Sequence, residues 1–285
     1  VLRRIEVATA TVLTVAGNGT AAIVDNRDGA NASFTSLEAV TTDGATVWVA
    51  NGFTLRAVGT TAPFGVGTVA GGARCMNASC YFDGVGAAAR FDDIRGATYY
   101  GGYVWVLDAN AAVLRRFDPA TNTVLTVAGS PYMNGATDGV GTAARFVSPR
   151  YMATDNSGML YIADTNGATI RAYNTVTGEV STFAGNGTAT YLDGVGTAAG
   201  IHRPRGMTSD GTSIYWVEFN QHTLRQGVIA TQQVSTMIGR AGSNGYVEGT
   251  GAAARMASPF SVTFHWPSGS LFLLDSGNNR IRRIQ

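Results

Sequence analysis

Lysine is absent from this chain of 285 residues: all 20 basic side chains are arginine, set against 19 acidic ones for a net charge of +1. With charged residues at only 14% of the chain, no overall field steers it onto nucleic acid or an anionic membrane. Long apolar runs are missing too. No stretch approaches the roughly 20 residues needed to span a bilayer, and Val1-Leu-Arg-Arg-Ile-Glu has no signal-peptide core, so no membrane insertion is expected. With Val1 in place of an initiator methionine, the chain reads as excised from a longer one. No segment holds an i, i+3, i+4, i+7 apolar stripe for three turns, which excludes a coiled coil. Histidine occurs three times, and His202, His222 and His265 fall at non-equivalent places outside any His-x-x-x-His or Glu-x-x-His arrangement. There are two cysteines, Cys75 and Cys80, enclosing Met-Asn-Ala-Ser. A metal site there would need two more ligands, so the pair reads as a small loop-closing disulfide, which points to an oxidising compartment.

What is present is glycine, 37 residues of it, and apolar residues at 45%, in short runs broken by Gly, Asn, Asp and Thr. The length exceeds what one ordinary core supports, so two compact domains or one repetitive architecture is expected. Repetition decides between them. An acidic residue followed by glycine recurs at Asp28, Asp83, Asp138, Asp193 and Glu248, each 55 residues after the last. Between these marks one order repeats, as in Asp138-Gly-Val-Gly-Thr-Ala-Ala-Arg-Phe, Pro149-Arg-Tyr-Met, Leu160-Tyr-Ile-Ala-Asp, Thr169-Ile-Arg and Val180-Ser-Thr-Phe-Ala-Gly. The apolar runs are short, β-branched or aromatic, and bounded by turn dipeptides, so each period reads as four strands, a to d. In the third period these lie near Met152 to Asp155, Leu160 to Asp164, Thr169 to Tyr173 and Val180 to Ala184. Residues 1–285 are thus expected to form a single all-β β-propeller of five four-stranded blades. The strand-b aromatics Trp48, Trp105, Tyr161, Tyr215 and Phe272 are expected to pack one blade on the next.

The run Asp-Gly-x-Gly-x-Ala-x-Arg-Phe, then Pro-x-Gly, Leu-Tyr-hydrophobic-Ala-Asp, hydrophobic-Arg and Val-x-Thr-x-Ala-Gly, resembles NHL repeats. The resemblance covers essentially the whole chain and is strongest from Asp83 to Gly239. Period one departs from it, with Phe34-Thr-Ser-Leu-Glu in place of the Arg-Phe and Pro elements, and with Asn51 where strand b otherwise ends in an acid. NHL propellers are usually six-bladed, so a six-bladed ring or a longer array is the alternative. Strand c matches six times, because both Val1-Leu-Arg-Arg-Ile and Arg280-Ile-Arg-Arg-Ile fit it. A five-bladed ring would take strand d of its last blade from Val12 to Ala16 and leave one terminal strand c spare for association.

Strand b ends in an acid seven residues before a strand-c arginine at Asp108 and Arg115, Asp164 and Arg171, Glu218 and Arg225, and Asp275 and Arg282, which reads as repeated cross-strand ion pairs. The acidic-Gly marks lack the closely spaced oxygens of a calcium loop and read as turn formers; no metal and no cofactor is expected. The sharpest candidate site is the position after proline at the start of strand a, beside the expected central channel. It holds Glu38, Arg95, Arg150, Arg205 and Phe260, with His202 nearby. Forked guanidiniums there could hold a carboxylate, sulfate or phosphate. Asn18, Asn31, Asn77 and Asn186 open Asn-x-Ser/Thr sequons in the connections between strands d and a.

With the cysteine pair, these sequons point to an extracellular or cell-surface glycoprotein. The reading is a non-enzymatic platform for a protein or glycan partner, or a structural subunit that self-associates into an extracellular assembly. Resemblance supplies two alternatives. One is an enzyme like the peptidyl hydroxyglycine amidating lyase, with its site at the central channel. The other is an RNA-binding NHL domain, which the balanced charge and missing lysine disfavour.

Overall fold

The computed structural model describes all 285 residues, and the protein is an all-β propeller of five blades. Two compact units divide it, Val1–Val127 and Ala128–Gln285.

The first unit opens with a hairpin of β1 (Leu2–Glu6) and β2 (Thr11–Ala16). Its first blade is β3 (Leu37–Thr42), β4 (Thr46–Asn51), β5 (Thr54–Gly59) and β6 (Val66–Ala70), in that spatial order. Its second blade holds β8 (Ile94–Tyr100), β9 (Tyr103–Asp108), β10 (Val113–Asp118) and β11 (Thr123–Ala128), with the two-residue β7 (Gly84–Val85) on the outer edge. In the second unit, β12 (Gly139–Val140) edges the blade of β13 (Pro149–Thr154), β14 (Met159–Asp164), β15 (Thr169–Asn174) and β16 (Glu179–Ala184). The next blade pairs β17 (Gly194–Val195) with β18 (Pro204–Ser209), β19 (Ser213–Glu218), β20 (Thr223–Val228) and β21 (Gln233–Ile238) in the same way. The last has three strands, β22 (Pro259–His265), β23 (Ser270–Asp275) and β24 (Arg280–Ile284).

Alternating apolar residues make each sheet two-faced, and the faces stack. Trp48 of β4 is buried with Ile94, Val104 and Phe117 of the following blade. Tyr161 lies against Phe183 and shares a core with Met207, Ile214 and the fully buried Trp216, while Tyr215 shares one with Val262, Leu271 and Leu273. The expected packing of one blade on the next holds for Trp48, Tyr161 and Tyr215, each large side chain contributing about 1.5–3 kcal/mol on burial, whereas Phe272 meets His265 of its own blade and Trp105 meets Tyr103 of its own strand.

The acidic-Gly phrase has a backbone logic. Its second glycine, at Gly86, Gly141, Gly196 and Gly251, takes φ between 50° and 57°, a left-handed conformation that favours glycine. That turn opens a short 3₁₀ segment, and its carbonyl accepts the N–H of the glycine that closes the preceding strand d, as from Gly71 to Gly86 (3.2 Å) and from Gly185 to Gly196 (3.2 Å). Consecutive blades are thereby stapled.

Two expectations need correction. Strand a begins at the proline itself, three residues earlier than Met152 in the third blade, because proline is tolerated at the first strand position. And Val12 to Ala16 does not complete the last blade: β2 is paired with β1, and the last sheet ends at β24.

Candidate functional site

Five arginines of strand c set the frame around which the site is built. The side chains of Arg56, Arg115, Arg171 and Arg225 are wholly buried, and Arg282 nearly so. Each guanidinium reaches the connection ahead of its own strand a. Arg171 bonds Arg145 O (2.8 Å), Thr137 O (3.1 Å) and Asp138 (2.6 Å); Arg225 bonds Leu192 O (3.0 Å) and Asp193 (3.0 Å). Aromatic faces lie against the same groups, Phe91 and Tyr81 on Arg115 and Phe146 on Arg171.

The acidic marks are therefore more than simple turn formers. They partner the buried arginines and also accept the N–H and hydroxyl of a strand-d threonine, as Asp83 does from Thr126 (2.8 and 2.9 Å). In the first blade this partner is Asp25, bonded to Arg56 and Thr68. Burial pushes the Asp25 carboxyl up, but the bonds from Thr68 and Arg56 outweigh it, so its pKa falls below the ordinary value. Asp28 instead caps a 3₁₀ turn through Ala30 N. The even 55-residue spacing thus breaks at its first member, since a longer connection separates Asp25 from Gly29.

Three of the four expected pairs between strand-b acids and strand-c arginines form, Glu218 with Arg225 (3.0 Å), Asp275 with Arg282 (3.3 Å) and Asp164 with Arg171 (3.9 Å), though not from directly opposite places, since Arg171 lies across from Ile162. The shared task of these acids is to accept backbone N–H groups at the start of strand a. Asp108 takes those of Asp92 and Asp93 (3.0 Å each), Asp164 those of Val147 and Ser148, and Glu218 that of His202 (3.2 Å). Asn51 does the same for Thr35 and Ser36, which explains why an amide serves there. Burial raises Asp108 to about 6 and Glu218 to about 7, against the pull of the N–H donors and the neighbouring arginine.

So anchored, strand a departs from regular pairing at one place in every blade. The register shifts between Leu37 and Ala39, Ile94 and Gly96, Pro149 and Tyr151, Pro204 and Met207, and Pro259 and Ser261. The residues at these bulges are Glu38, Arg95, Arg150, Arg205 and Phe260, the position singled out from sequence. A bulge re-aims a side chain away from the pleat, and bulges recur next to functional sites.

In the first unit this position is neutralised. Arg95 bonds Glu38 (2.9 Å) and Asp93 (2.7 Å). Burial alone would lower the arginine's pKa, but Asp93 and Glu38 overcome that and raise it.

In the second unit it is arranged differently. Arg171, Arg225 and Arg282 account for that unit's ion pairs, and Arg150 and Arg205 belong to none of them. Arg150 is half-buried and held by Ser148 Oγ (3.0 Å). Arg205 lies over Phe219 (4.1 Å) and Phe260 (5.0 Å), and Tyr151 meets Phe260 edge-on at 6.2 Å. Gly206 permits this, because a Cβ there would overlap the Ser261 backbone and push β18 away from β22. The ring of His202 keeps a buried Nδ1 without a hydrogen-bond partner. His222 accepts from Ser258 N in a turn, and His265 bonds Ser268 beyond strand a. Phe219 is the residue that sequence reasoning missed. Its signal was present: the position after the strand-b acid is small in the other blades, at Gly52, Ala109, Thr165 and Ser276.

Cys75 and Cys80 are disulfide-bonded. All four sequon asparagines are exposed. Asn18, Asn77 and Asn186 use their Oδ1 to accept the N–H two residues on, whereas Asn31 Nδ2 donates to Asp28.

No protein-family model matches this chain, and no curated protein does. Solved structures do. An auxiliary nutrient binding protein from Bacteroides thetaiotaomicron VPI-5482 superposes with a TM-score of 0.59 at 18% identity, over 88% of this chain and 69% of that one. One from Bacteroides ovatus ATCC 8483 gives 0.59 at 16% identity, over 94% and 73%. A chain of a nidogen/laminin complex gives 0.56 at 12% identity, over 84% and 73%. Identity this low carries a shared fold and nothing finer.

Proposed function

We propose that this chain is a non-enzymatic propeller of the NHL type that acts outside the cell or at its surface as a binding platform, with a ligand site at the strand-a bulges of the second unit. The observation that carries this reading is Arg205, held between two phenyl rings at a bulge and not consumed by an ion pair. The ligand class is an acidic glycan: a carboxylate or sulfate for the forked guanidiniums of Arg205 and Arg150, and a sugar face for the aromatic rim of Tyr151, Phe219 and Phe260. The disulfide and the exposed sequons support the extracellular setting, with Asn18, Asn77 and Asn186 as glycan acceptors. Solved propellers described as nutrient binding proteins fit a binding role.

Calorimetry with acidic oligosaccharides and their neutral counterparts tests the site. Acidic ligands are expected to bind, and Arg205→Ala to weaken them about tenfold or more, the loss of one charge-assisted contact. Equal binding of neutral and acidic sugars, or an unchanged affinity in Arg205→Ala, would overturn the reading.

A further inference from the structure

One sequon differs from the others in being wound inside a covalent ring. Asn77-Ala-Ser79 lies wholly between Cys75 and Cys80, which are disulfide-bonded, whereas Asn18-Gly-Thr20 and Asn186-Gly-Thr188 lie in open connections. All three asparagines take the same turn, in the order 18, 77, 186 accepting the N–H two residues on through Oδ1 at 2.9, 3.0 and 3.0 Å. In the ring that turn is held from further sides. Asn77 caps the short 3₁₀ segment Ala78–Cys80, its carbonyl accepts the Cys80 N–H (3.4 Å), and both sulfur atoms lie against the same oxygen (2.9 and 3.4 Å). Access is not what limits this sequon, because Met76, Asn77, Ala78 and Ser79 are exposed.

Transfer of a glycan asks a sequon to leave its turn, since the asparagine amide and the hydroxyl two residues on must enter a transferase site together. At Asn18 and Asn186 that step breaks one hydrogen bond to the backbone, a modest loss in water. At Asn77 the disulfide forbids it. The five residue steps from Cys75 to Cys80 could reach about 17 Å when extended, but the bond holds the two Cα atoms 5.4 Å apart. The flanks of the ring give no slack in the folded blade. Arg74 is tied to Asp92 (2.9 Å), the Cys75 N–H to Phe91 O (2.9 Å), and Phe82 O to the Arg90 N–H (3.0 Å) and Arg115 (2.7 Å).

We infer that Asn77 is a conditional glycan acceptor, modified only in chains whose Cys75–Cys80 ring is still open and passed over once the ring has closed. This rests on the extracellular reading above. A loop this short brings its ends together far faster than the chain grows. The ring can therefore form as soon as Cys80 is made, before Arg90, Phe91, Asp92 and Arg115, which pin its flanks, exist. Thiol oxidation takes seconds or longer, and a growing chain gains about 5–20 residues each second, so the two modifications compete on one nascent chain. Ring closure passes two electrons and two protons from the two thiols to a disulfide oxidant, which leaves as a dithiol. Glycosylation joins Asn77 Nδ2 to the anomeric carbon of a phosphate-linked sugar donor, with loss of one amide proton and of the phosphate leaving group. The bonds that shape the ring use Oδ1 and the carbonyl of Asn77 and not Nδ2, so the ring can still close on a chain that already carries the glycan. The protein is thus made as two glycoforms that differ at Asn77.

Site-resolved mass spectrometry of the full chain, secreted from a eukaryotic host that adds N-linked glycans, tests this. In the parent, occupancy at Asn77 is expected to lie below that at Asn18 and Asn186. In the double variant Cys75→Ser, Cys80→Ser it should rise at Asn77 and stay unchanged at the other two. Should that variant fold poorly, the unsubstituted chain decides: a mild thiol reductant present during synthesis and then removed should raise occupancy at Asn77 alone. Occupancy at Asn77 that is the same with the ring open or closed overturns the inference, and glycans on Asn18 and Asn186 then leave the extracellular reading standing. Bare asparagine at all three sites overturns both.

Discussion

Two repeated positions, 18 to 22 residues apart in each blade, behave in opposite ways. The strand-c residues are arginine in all five blades, are buried, and draw the partners of their terminal nitrogens from their own blade, while Nε of Arg56, Arg115, Arg171 and Arg225 makes no hydrogen bond. Those at the strand-a bulge differ from blade to blade as Glu38, Arg95, Arg150, Arg205 and Phe260, and sit half-buried. An interior guanidinium is tolerated only where carbonyls and a carboxylate meet it, so its surroundings cannot drift. At the bulge the solvent is near and each blade is free to vary. Repetition within this chain therefore marks scaffold, and divergence at a repeated place marks the surface available for function.

Removing a scaffold arginine should have the largest effect. Arg171→Leu takes the guanidinium from Asp138 and from the carbonyls of Arg145 and Thr137 and removes the positive charge beside the buried Asp164, and breaking a buried pair typically costs about 3–5 kcal/mol. Urea unfolding should show that loss, whereas Arg205→Leu should lie within about 1 kcal/mol of the parent, as for other partly exposed sites. Equal losses at the two places would erase the distinction.

A smaller effect concerns the acids that pin strand a. Glu218 titrates at about 7 in the folded chain against an ordinary 4.5. A carboxyl whose folded pKa is raised gives its full stability below the unfolded value and loses it as pH rises through the folded one. The parent should therefore weaken between about pH 4.5 and 7 by roughly 1–3 kcal/mol more than Glu218→Gln does. That variant keeps an oxygen for the His202 N–H, as Asn51 does for Thr35. Urea midpoints of both proteins at pH 5 and pH 8 provide the measurement; parallel curves would refute the buried-acid account.

The smallest change tests whether the first unit is silenced only by charge. Replacing Glu38 and Asp93 with their amides releases Arg95. Stability should move by less than about 1 kcal/mol, because Arg95 is partly exposed and its ion pairs are screened. Weak anion binding should appear in calorimetry of a variant already lacking Arg205. No gain would show that the aromatic rim, which Arg95 lacks, is indispensable.

Much of this was legible beforehand. The repeat, the strand order within it and the packing of Trp48, Tyr161 and Tyr215 follow from alternation and turn residues, which are local signals. So does the candidate position, because five equivalent residues can be aligned by eye. The partner of Arg56 was not legible: Asp25 lies 31 residues away along a connection of irregular length, and a nearer Asp-Gly offered a false match at Asp28. Nor was the silencing of Arg95 by Asp93, which depends on where a bulge turns the guanidinium.

Amino-acid order alone settled that this chain is a propeller built of like modules, because hydrophobic alternation and glycine turns act over a few residues wherever they occur. Three-dimensional packing decided which arginines are drawn into buried ion pairs and which stay outside them, and that β2 lies on β1. Those outcomes rest on distances between segments far apart along the chain, and charge pairing and strand edges are settled only when such segments meet.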